Sequence, residues 1–316
     1  MNKNNTPAPA RRQIIIEDSS LDKTGAVSIY EQPTEIVAAP ALASQQGAGA
    51  NLETTEMLNS VTQYFSVGSS INIGKRKSQQ DSVALSNNDY DDPCINNTVY
   101  GVLSDGMGGL NGGEIASAIC TARMMEMLEN ADINNFSQYI KTCYNSIDSE
   151  IAALEDENGD PLGAGATMIT FFAHDNRLCW ASVGDSHIYL INKNGISRLN
   201  REHNYMLHLM AKVENGEITP EEANSDKQKD ALISFMGMGG LSLIDVSESP
   251  LVIEKGDIVL ACSDGMYRAL TDTEIEQTVR LGANDVPLLA NILINKTLEK
   301  QRKYQDNVSV IIAKKL

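Results

Sequence analysis

A chain of 316 residues with 42% hydrophobic and only 5% aromatic side chains has room for one large domain or two small ones, and its 42 acidic against 25 basic residues leave it at −17. That charge repels phosphate backbones and argues against a nucleic-acid binder. No apolar run approaches the ~18 residues of a membrane span, and Arg11-Arg12-Gln13 is followed only by Ile14-Ile15-Ile16 rather than a secretory core, so no membrane contact and a cytoplasmic location are expected.

Residues 1–60 read as a disordered tail or linker, with four of the nine prolines, one aromatic (Tyr30) and a small-residue tract from Ala38 to Ala50. Within it, Ile14 to Ile16 are either linker or a short docking strand for another protein. Phe65, Val67, Ile71 and Ile73 alternate as in a half-buried strand that ends at Gly74. The basic Lys75-Arg76-Lys77 follows, and Gln79-Gln80-Asp81 opens a second strand, 81–86. The run 99–103 predicts a buried strand that stops at Asp105-Gly106, where glycine lets the backbone turn and Gly108, Gly109, Gly112 and Gly113 keep the corner bare. A helix is predicted over about 113–130, with Ile115, Ile119, Ala122, Met125 and Leu128 as its apolar stripe. A second, about 135–156, carries Tyr139, Ile140, Cys143, Ile147, Ile151 and Leu154 and breaks at Gly159-Asp160-Pro161.

Strands are predicted at 166–173, 178–183 and 188–191, with Gly184-Asp185-Ser186 as the hinge between the last two and a hairpin at Gly195. Residues 200–245 are less regular: helical stretches at 203–214 and 219–224, many charges, four methionines, and a flexible Gly237-Met238-Gly239-Gly240. That region is either a mobile lid or a surface insertion. Order resumes at 242–246. A buried strand, 258–262, then ends at Ser263-Asp264-Gly265. Helices at 271–281 and 284–301, the latter with Leu289, Ile292 and Leu293 on one side, precede Gln305-Asp306-Asn307 and a final strand, 308–312. The five cysteines (Cys94, Cys120, Cys143, Cys179, Cys262) include no C-x-x-C pair and read as reduced core residues.

Asp105, Asp185, Asp264 and Asp306 thus share one placement, a carboxylate at the end of an apolar strand, and Asp81 has the same character. Strand ends of one sheet lie together, so these acids can gather on one rim. Packed there unpaired they would repel, and divalent cations that prefer oxygen ligands, Mg or Mn rather than Zn, remove that cost.

The stretches GKRKSQQDS, VLSDGMGGLNGGEIAS, GAGATM, VGDSHIYL, ACSDGM and QDNVSVII, in this order over about 65–312, resemble the metal-dependent serine/threonine protein phosphatases of type 2C in their bacterial form. The resemblance implies an α+β fold, a four-layer α/β/β/α sandwich with two central, mainly antiparallel sheets, spanning 61–316, with a flap at about 200–245. It implies Asp105 bridging two Mg or Mn ions, the Gly106 carbonyl on one of them, Asp264 and Asp306 on the other, and a third, weaker site at Asp185. Asp81 would act at or just outside the metal shell, and Arg76 would grip the substrate phosphate. Phosphoserine and phosphothreonine of proteins would be hydrolysed by direct attack of a metal-bridging water, without a phospho-enzyme. The implied partners are phosphorylated proteins, a cognate Ser/Thr kinase or its targets, acted on by a monomer.

Three positions depart from the family pattern. Met107 stands where eukaryotic relatives often carry a histidine, so the leaving group's proton must come from water. Gly165-Ala166-Thr167 replaces Gly-Thr-Thr, and His187 replaces an arginine. His203 matches a family histidine and reads as structural. Rival readings are a phosphoprotein-binding pseudophosphatase, a phosphatase dedicated to one regulator, and a small-molecule phosphoesterase.

Overall fold

The computed structural model describes residues 64–86, 97–107 and 112–316. The tail expected at 1–60 with Ile14 to Ile16, and also Cys94, Gly108 and Gly109, lie outside the described residues. In chain order come β1 (Phe65–Asn72), β2 (Asp81–Leu85), β3 (Thr98–Met107), α1 (Gly112–Leu128), α2 (Phe136–Ala152), β4 (Gly165–Ala166), β5 (Met168–His174), β6 (Arg177–Val183), β7 (His187–Asn192) and β8 (Gly195–Arg198). They are followed by α3 (Met206–Glu214), α4 (Pro220–Ser225), β9 (Asp245–Val246), β10 (Leu251–Val252), β11 (Ile258–Cys262), α5 (Asp264–Tyr267), α6 (Asp272–Gly282), α7 (Val286–Glu299) and β12 (Val308–Lys315).

Two antiparallel sheets result. One runs β1-β12-β11-β7-β8; the other runs β10-β6-β5-β3-β2, with β4 beside β3 and β9 beside β6. Because successive strand residues face opposite ways, each central strand feeds two apolar layers at once. Val102 and Phe172 face α1 and α2, while their neighbours Leu103 and Phe171 face the opposite sheet. Likewise Leu260, Val310 and Ile312 face α6 and α7, while Ala261, Ile311 and Ala313 point inward. Strands buried on both faces therefore read as continuous hydrophobic runs. The layering is the helix–sheet–sheet–helix sandwich that the resemblance implied.

Several local expectations change. β3 does not stop at Asp105; it continues to Met107, where Gly106 and Met107 pair with Ala166 and Gly165 of β4. Gly106 is required for close approach rather than for a turn, since a Cβ there would lie 2.1 Å from the Gly113 carbonyl oxygen. Helix α1 buries Ala116, Cys120, Met124 and Leu128, leaves Ile115, Ile119 and Met125 partly exposed, and turns Ala122 to solvent. It is apolar around most of its circumference, so periodicity allowed two stripes. The sheet takes the side with the smaller residues, where Thr121 Oγ1 meets Ser82 Oγ at 2.8 Å. Ile71 near the end of β1, and Ile73 just past it, keep the parity of Phe65 but are about two-fifths exposed, because they run past the covered part of this edge strand. Helix α2 buries Ile140, Cys143, Ile147 and Ile151 as expected, although it ends before Leu154. The described cysteines are free thiols in the core.

The glycine run at 237–240 is pinned rather than loose. The N–H groups of Gly237, Met238 and Gly239 all donate to Oδ1 of the buried Asp148 on α2, at 2.7, 2.9 and 3.3 Å. We expect Asp148→Ala to lower the unfolding free energy by about 1–3 kcal/mol, because three part-buried hydrogen bonds to one carboxylate oxygen are lost. Urea denaturation measures this, and an unchanged midpoint would mean the turn is held by other contacts.

Candidate active site

The inter-sheet layer is apolar along its length and becomes acidic at one end. Residues of inward parity that continue Ala261, Ile311 and Leu103 are Ser263, Ser309 and Asp105. Asp81 is the direct cross-strand partner of Asp105, so both carboxylates project on the same face of adjacent strands. From the other sheet, Asp264 leaves β11 as the first residue of α5, and Asp306 precedes β12. Asp185 sits in the turn between β6 and β7. A cleft of about 280 Å³ opens between these ends, lined by Arg76, Asp105, Gly106, Asp185, Asp264 and Asp306, with Thr167 and Leu232 on its walls. Asp81 lies beneath it, 5% exposed. A larger depression of about 390 Å³ at the start of α2 lies elsewhere, and there Glu248 already takes hydrogen bonds from Ser137 and Lys141.

Neutral side chains hold the acids in place. Ser263 Oγ donates to Asp81 Oδ2 at 2.8 Å and accepts from the Ser309 N–H at 3.0 Å. Thr167 Oγ1 accepts from the Asp105 N–H at 3.0 Å, while the Thr167 N–H donates to the Asp105 carbonyl at 2.8 Å. Asn307 organises the basic loop: its Oδ1 accepts from the Gln80 N–H at 2.8 Å, and its Nδ2 donates to the Ile73 and Ser78 carbonyls at 2.9 and 3.1 Å. That loop carries Arg76, whose guanidinium pairs with Asp306. A Cβ at position 265 would lie 1.9 Å from the Asn307 carbonyl oxygen, so glycine is needed directly after Asp264 for β12 to pass.

The electrostatics are those of like charges forced together. Burial, followed by repulsion from Asp81, Asp264, Asp185 and Asp306, raises the Asp105 carboxyl well above the ordinary range. Burial raises Asp81 to about 7, against the hydroxyl of Ser263 and with Asp264 and Asp306 adding to it. Burial and then Asp264 raise Asp185 to about 6, partly offset by Arg268. Asp81 Oδ1 and Asp264 Oδ1 are buried and have no hydrogen-bond partner. Such oxygens fit a hard cation. Among the described residues, no three carboxylate, imidazole or thiol groups crowd closely enough to enclose an ion by themselves.

All seven site residues expected from the sequence, Arg76, Asp81, Asp105, Gly106, Asp185, Asp264 and Asp306, therefore line or underlie one cleft. Sequence reasoning missed Ser263, Asn307 and Arg268. Arg268 pairs with both Asp264 and Asp185. The polar residues directly beside Asp264 and Asp306 were the available signal, since a buried Ser or Asn must be hydrogen-bonded. His187 stacks on Tyr267 and meets Glu202 Oε1 at 2.8 Å, so it is packed rather than free. The role assigned to His203 fits its geometry: it is buried and exchanges backbone and ring hydrogen bonds with Gly184. The segment from Asn204 to Met236 closes on itself at Asn204–Leu232 and is bridged to Ala166 by Met236, which places Leu232 in the cleft wall.

The sequence model of the protein phosphatase 2C family matches residues 66–207. The chain is 24% identical over 218 residues to the serine/threonine phosphatase stp of Listeria monocytogenes serotype 4b, covering 68% of this chain and 83% of that one. It is 29% identical over 213 residues to the serine/threonine protein phosphatase PstP of Mycobacterium tuberculosis, covering 67% of this chain and 39% of the relative. Its fold is similar to that of the PstP catalytic domain solved in complex with two manganese ions, with a TM-score of 0.63 at 25% identity over 79% of this chain and 98% of that one.

The raised carboxyls have a measurable consequence for the metal-free protein. Folded Asp81 and Asp185 titrate near 7 and 6 against an ordinary 3.8, so between those values the folded state holds more protons than the unfolded chain. The contribution of these two carboxyls to stability then falls as pH rises from about 4 to 7, while buried His187 and His203, held below the usual imidazole range, act in the opposite direction. Cations bound by the carboxylates would remove the carboxyl contribution and leave that of the histidines. The rise in Tm on exchanging EDTA for Mn²⁺ is therefore expected to grow from about pH 4 to 7 in thermal unfolding. A rise that does not grow with pH would contradict the clustering.

Proposed function

We propose, for a chain that belongs to the protein phosphatase 2C family, the function of a metal-dependent hydrolase of phosphoserine and phosphothreonine in proteins. What supports this reading is the meeting of Arg76, Asp105, Gly106, Asp185, Asp264 and Asp306 at one cleft that also contains an unpartnered carboxylate oxygen. The catalytic domain is taken as 61–316, with the flap at about 200–245 beside the cleft and 1–60 as a tail. Magnesium or manganese are the ions, phosphorylated targets of a cognate Ser/Thr kinase the substrates, and a cytoplasmic monomer the working form.

Asp105, with the Gly106 carbonyl, would hold the ions from one sheet, and Asp264 and Asp306 from the other. When bound, two divalent cations lower the pKa of water and neutralise the transferring phosphoryl group. The protein's own groups do the positioning. Arg76 sits on an exposed loop at the cleft, and its planar fork matches two phosphate oxygens. Asp81, beneath Asp105 and bonded to Ser263, sets the charge against which the ions are held. Among the described residues, no side chain at the cleft offers a better nucleophile than water. Cys262 is fully buried with its thiol pushed far up by that burial, and Ser263 is committed to Asp81. Met107 lines the cleft and has no proton to give, so the leaving oxygen must be protonated by water.

Hydrolysis of a phosphothreonine peptide is expected to need Mn²⁺ or Mg²⁺ and to stop with chelator. Asp105→Asn should lower kcat by about 10³-fold, the range seen when a transition-state charge stabiliser is removed. Arg76→Ala should cost about tenfold to hundredfold in kcat/KM, equivalent to one charge-assisted hydrogen-bonded pair. Wild-type protein that binds the phosphopeptide without turnover in either metal would instead establish the pseudophosphatase reading.

A further inference from the structure

We propose that Arg268 is the third cation of this site, so that Asp185 is neutralised by a guanidinium and the cleft takes two divalent ions and no more. This rests on the phosphatase reading and goes beyond it. The observation is a bridge. Arg268 Nε lies 3.1 Å from Asp264 Oδ2, and Nη2 lies 3.4 Å from Asp185 Oδ2. One side chain thus joins carboxylates from two different strand ends, the use for which a planar fork of five donors is suited.

Three features separate this arginine from a surface cation resting on the nearest acid. First, it is carried by structure rather than by a loop. Arg268 caps α5 four residues after Asp264, so the helix itself sets the distance between the two. Second, its neighbour Tyr267 stacks flat on His187, with ring centres 3.6 Å apart and planes 11° apart. His187 is in turn held by Tyr189 OH at 2.7 Å and Glu202 Oε1 at 2.8 Å. His187 is two residues from Asp185, and the stack therefore fixes α5 against the turn that presents Asp185. Third, the bridge leaves the rest of the site open. Arg268 uses Oδ2 of Asp264, whereas Oδ1 is the buried oxygen with no partner. Asp264 is divided between a resident cation on one side and the cleft on the other.

Arg76 behaves differently. Its side chain is 56% exposed on the basic loop and, among the described residues, is ion-paired with Asp306 alone, so it can leave for a substrate phosphate. The charge balance agrees with a two-ion site. Asp81, Asp105, Asp185, Asp264 and Asp306 face Arg76 and Arg268, an excess of three negative charges. Two divalent ions convert this to one positive charge, suited to a phosphate. A third ion would sit against Arg268 after displacing it from both of its partners. The arginine of the family pattern at position 187 is absent here, and the positive charge beside Asp185 comes from position 268 instead.

Counting bound ions tests this without any turnover. The full chain, stripped by EDTA, is dialysed against millimolar Mn²⁺ and the bound metal is measured by atomic emission, with calorimetric titration as a second readout. Wild type is expected to bind two ions, and Asp185→Asn also two, because no ion is lost with a carboxylate that held none. Arg268→Gln should gain a third, and the Arg268→Gln/Asp185→Asn double variant should return to two. Three ions on wild type falling to two in Asp185→Asn would overturn the role of Arg268 and leave the phosphatase reading standing. Two ions on Arg268→Gln would also overturn it. No ion on wild type would remove the two-metal reading itself. The Asp185→Asn comparison decides the matter even where Arg268→Gln fails to fold.

Discussion

Carboxylates gathered where two sheets end are the constraint on which this molecule is built. Asp81 and Asp105 face each other across β2 and β3, the arrangement in which like charges destabilise a sheet most. Asp264 and Asp306 approach from β11 and β12 of the other sheet. Asp105, Asp264 and Asp306 adjoin β3, β11 and β12, whose side chains are buried in two apolar layers at once, and Asp81 is held opposite Asp105 by the pairing of β2 with β3. Their repulsion is thus a cost set by the sandwich, relieved either by protonation or by counter-cations.

The sandwich also explains why the supporting residues are neutral. At the acidic end of the inter-sheet layer, Ser263 and Ser309 take positions that further along are filled by Ala261 and Ile311. The Ser263 hydroxyl satisfies one oxygen of the buried Asp81 carboxylate without adding charge. Asn307 does the same for backbone, tying the Arg76 loop to the first turn of β12 through three hydrogen bonds. Glycines after Asp105 and Asp264 let a neighbouring backbone pass within contact distance. The resident cations differ in how firmly they are placed: Arg76 on a loop with one partner, Arg268 on a helix with two.

Beside the cleft, the segment from Asn204 to Met236 is anchored by backbone bridges rather than by a large apolar core of its own. Its attachment at Ala166 is next to the strand that carries Asp105 and Gly106, and its Gly237–Gly239 turn is held from α2 by a single carboxylate oxygen. This segment, the central strand and the outer helix are therefore connected through polar contacts, while the sheets provide the rigid frame.

By itself the sequence determined the strands that are apolar on both faces, the two outer helix pairs, and all five aspartates of the site, because a carboxylate at the edge of a hydrophobic run is visible along the chain. Arg76, five residues before Asp81, is singled out only by the resemblance to the family's motifs, since a basic loop by itself is ordinarily just solvated. Only the tertiary structure decided which face of α1 is buried, that β3 runs on through Asp105, and that the glycine turn at 237–239 is clamped by Asp148, 89 or more residues away. It also decided that Arg268 reaches Asp185, a contact spanning 83 residues. The reason is physical: periodicity records how a segment meets one average surface, whereas ion pairs and clamps join particular atoms from segments that only folding brings together.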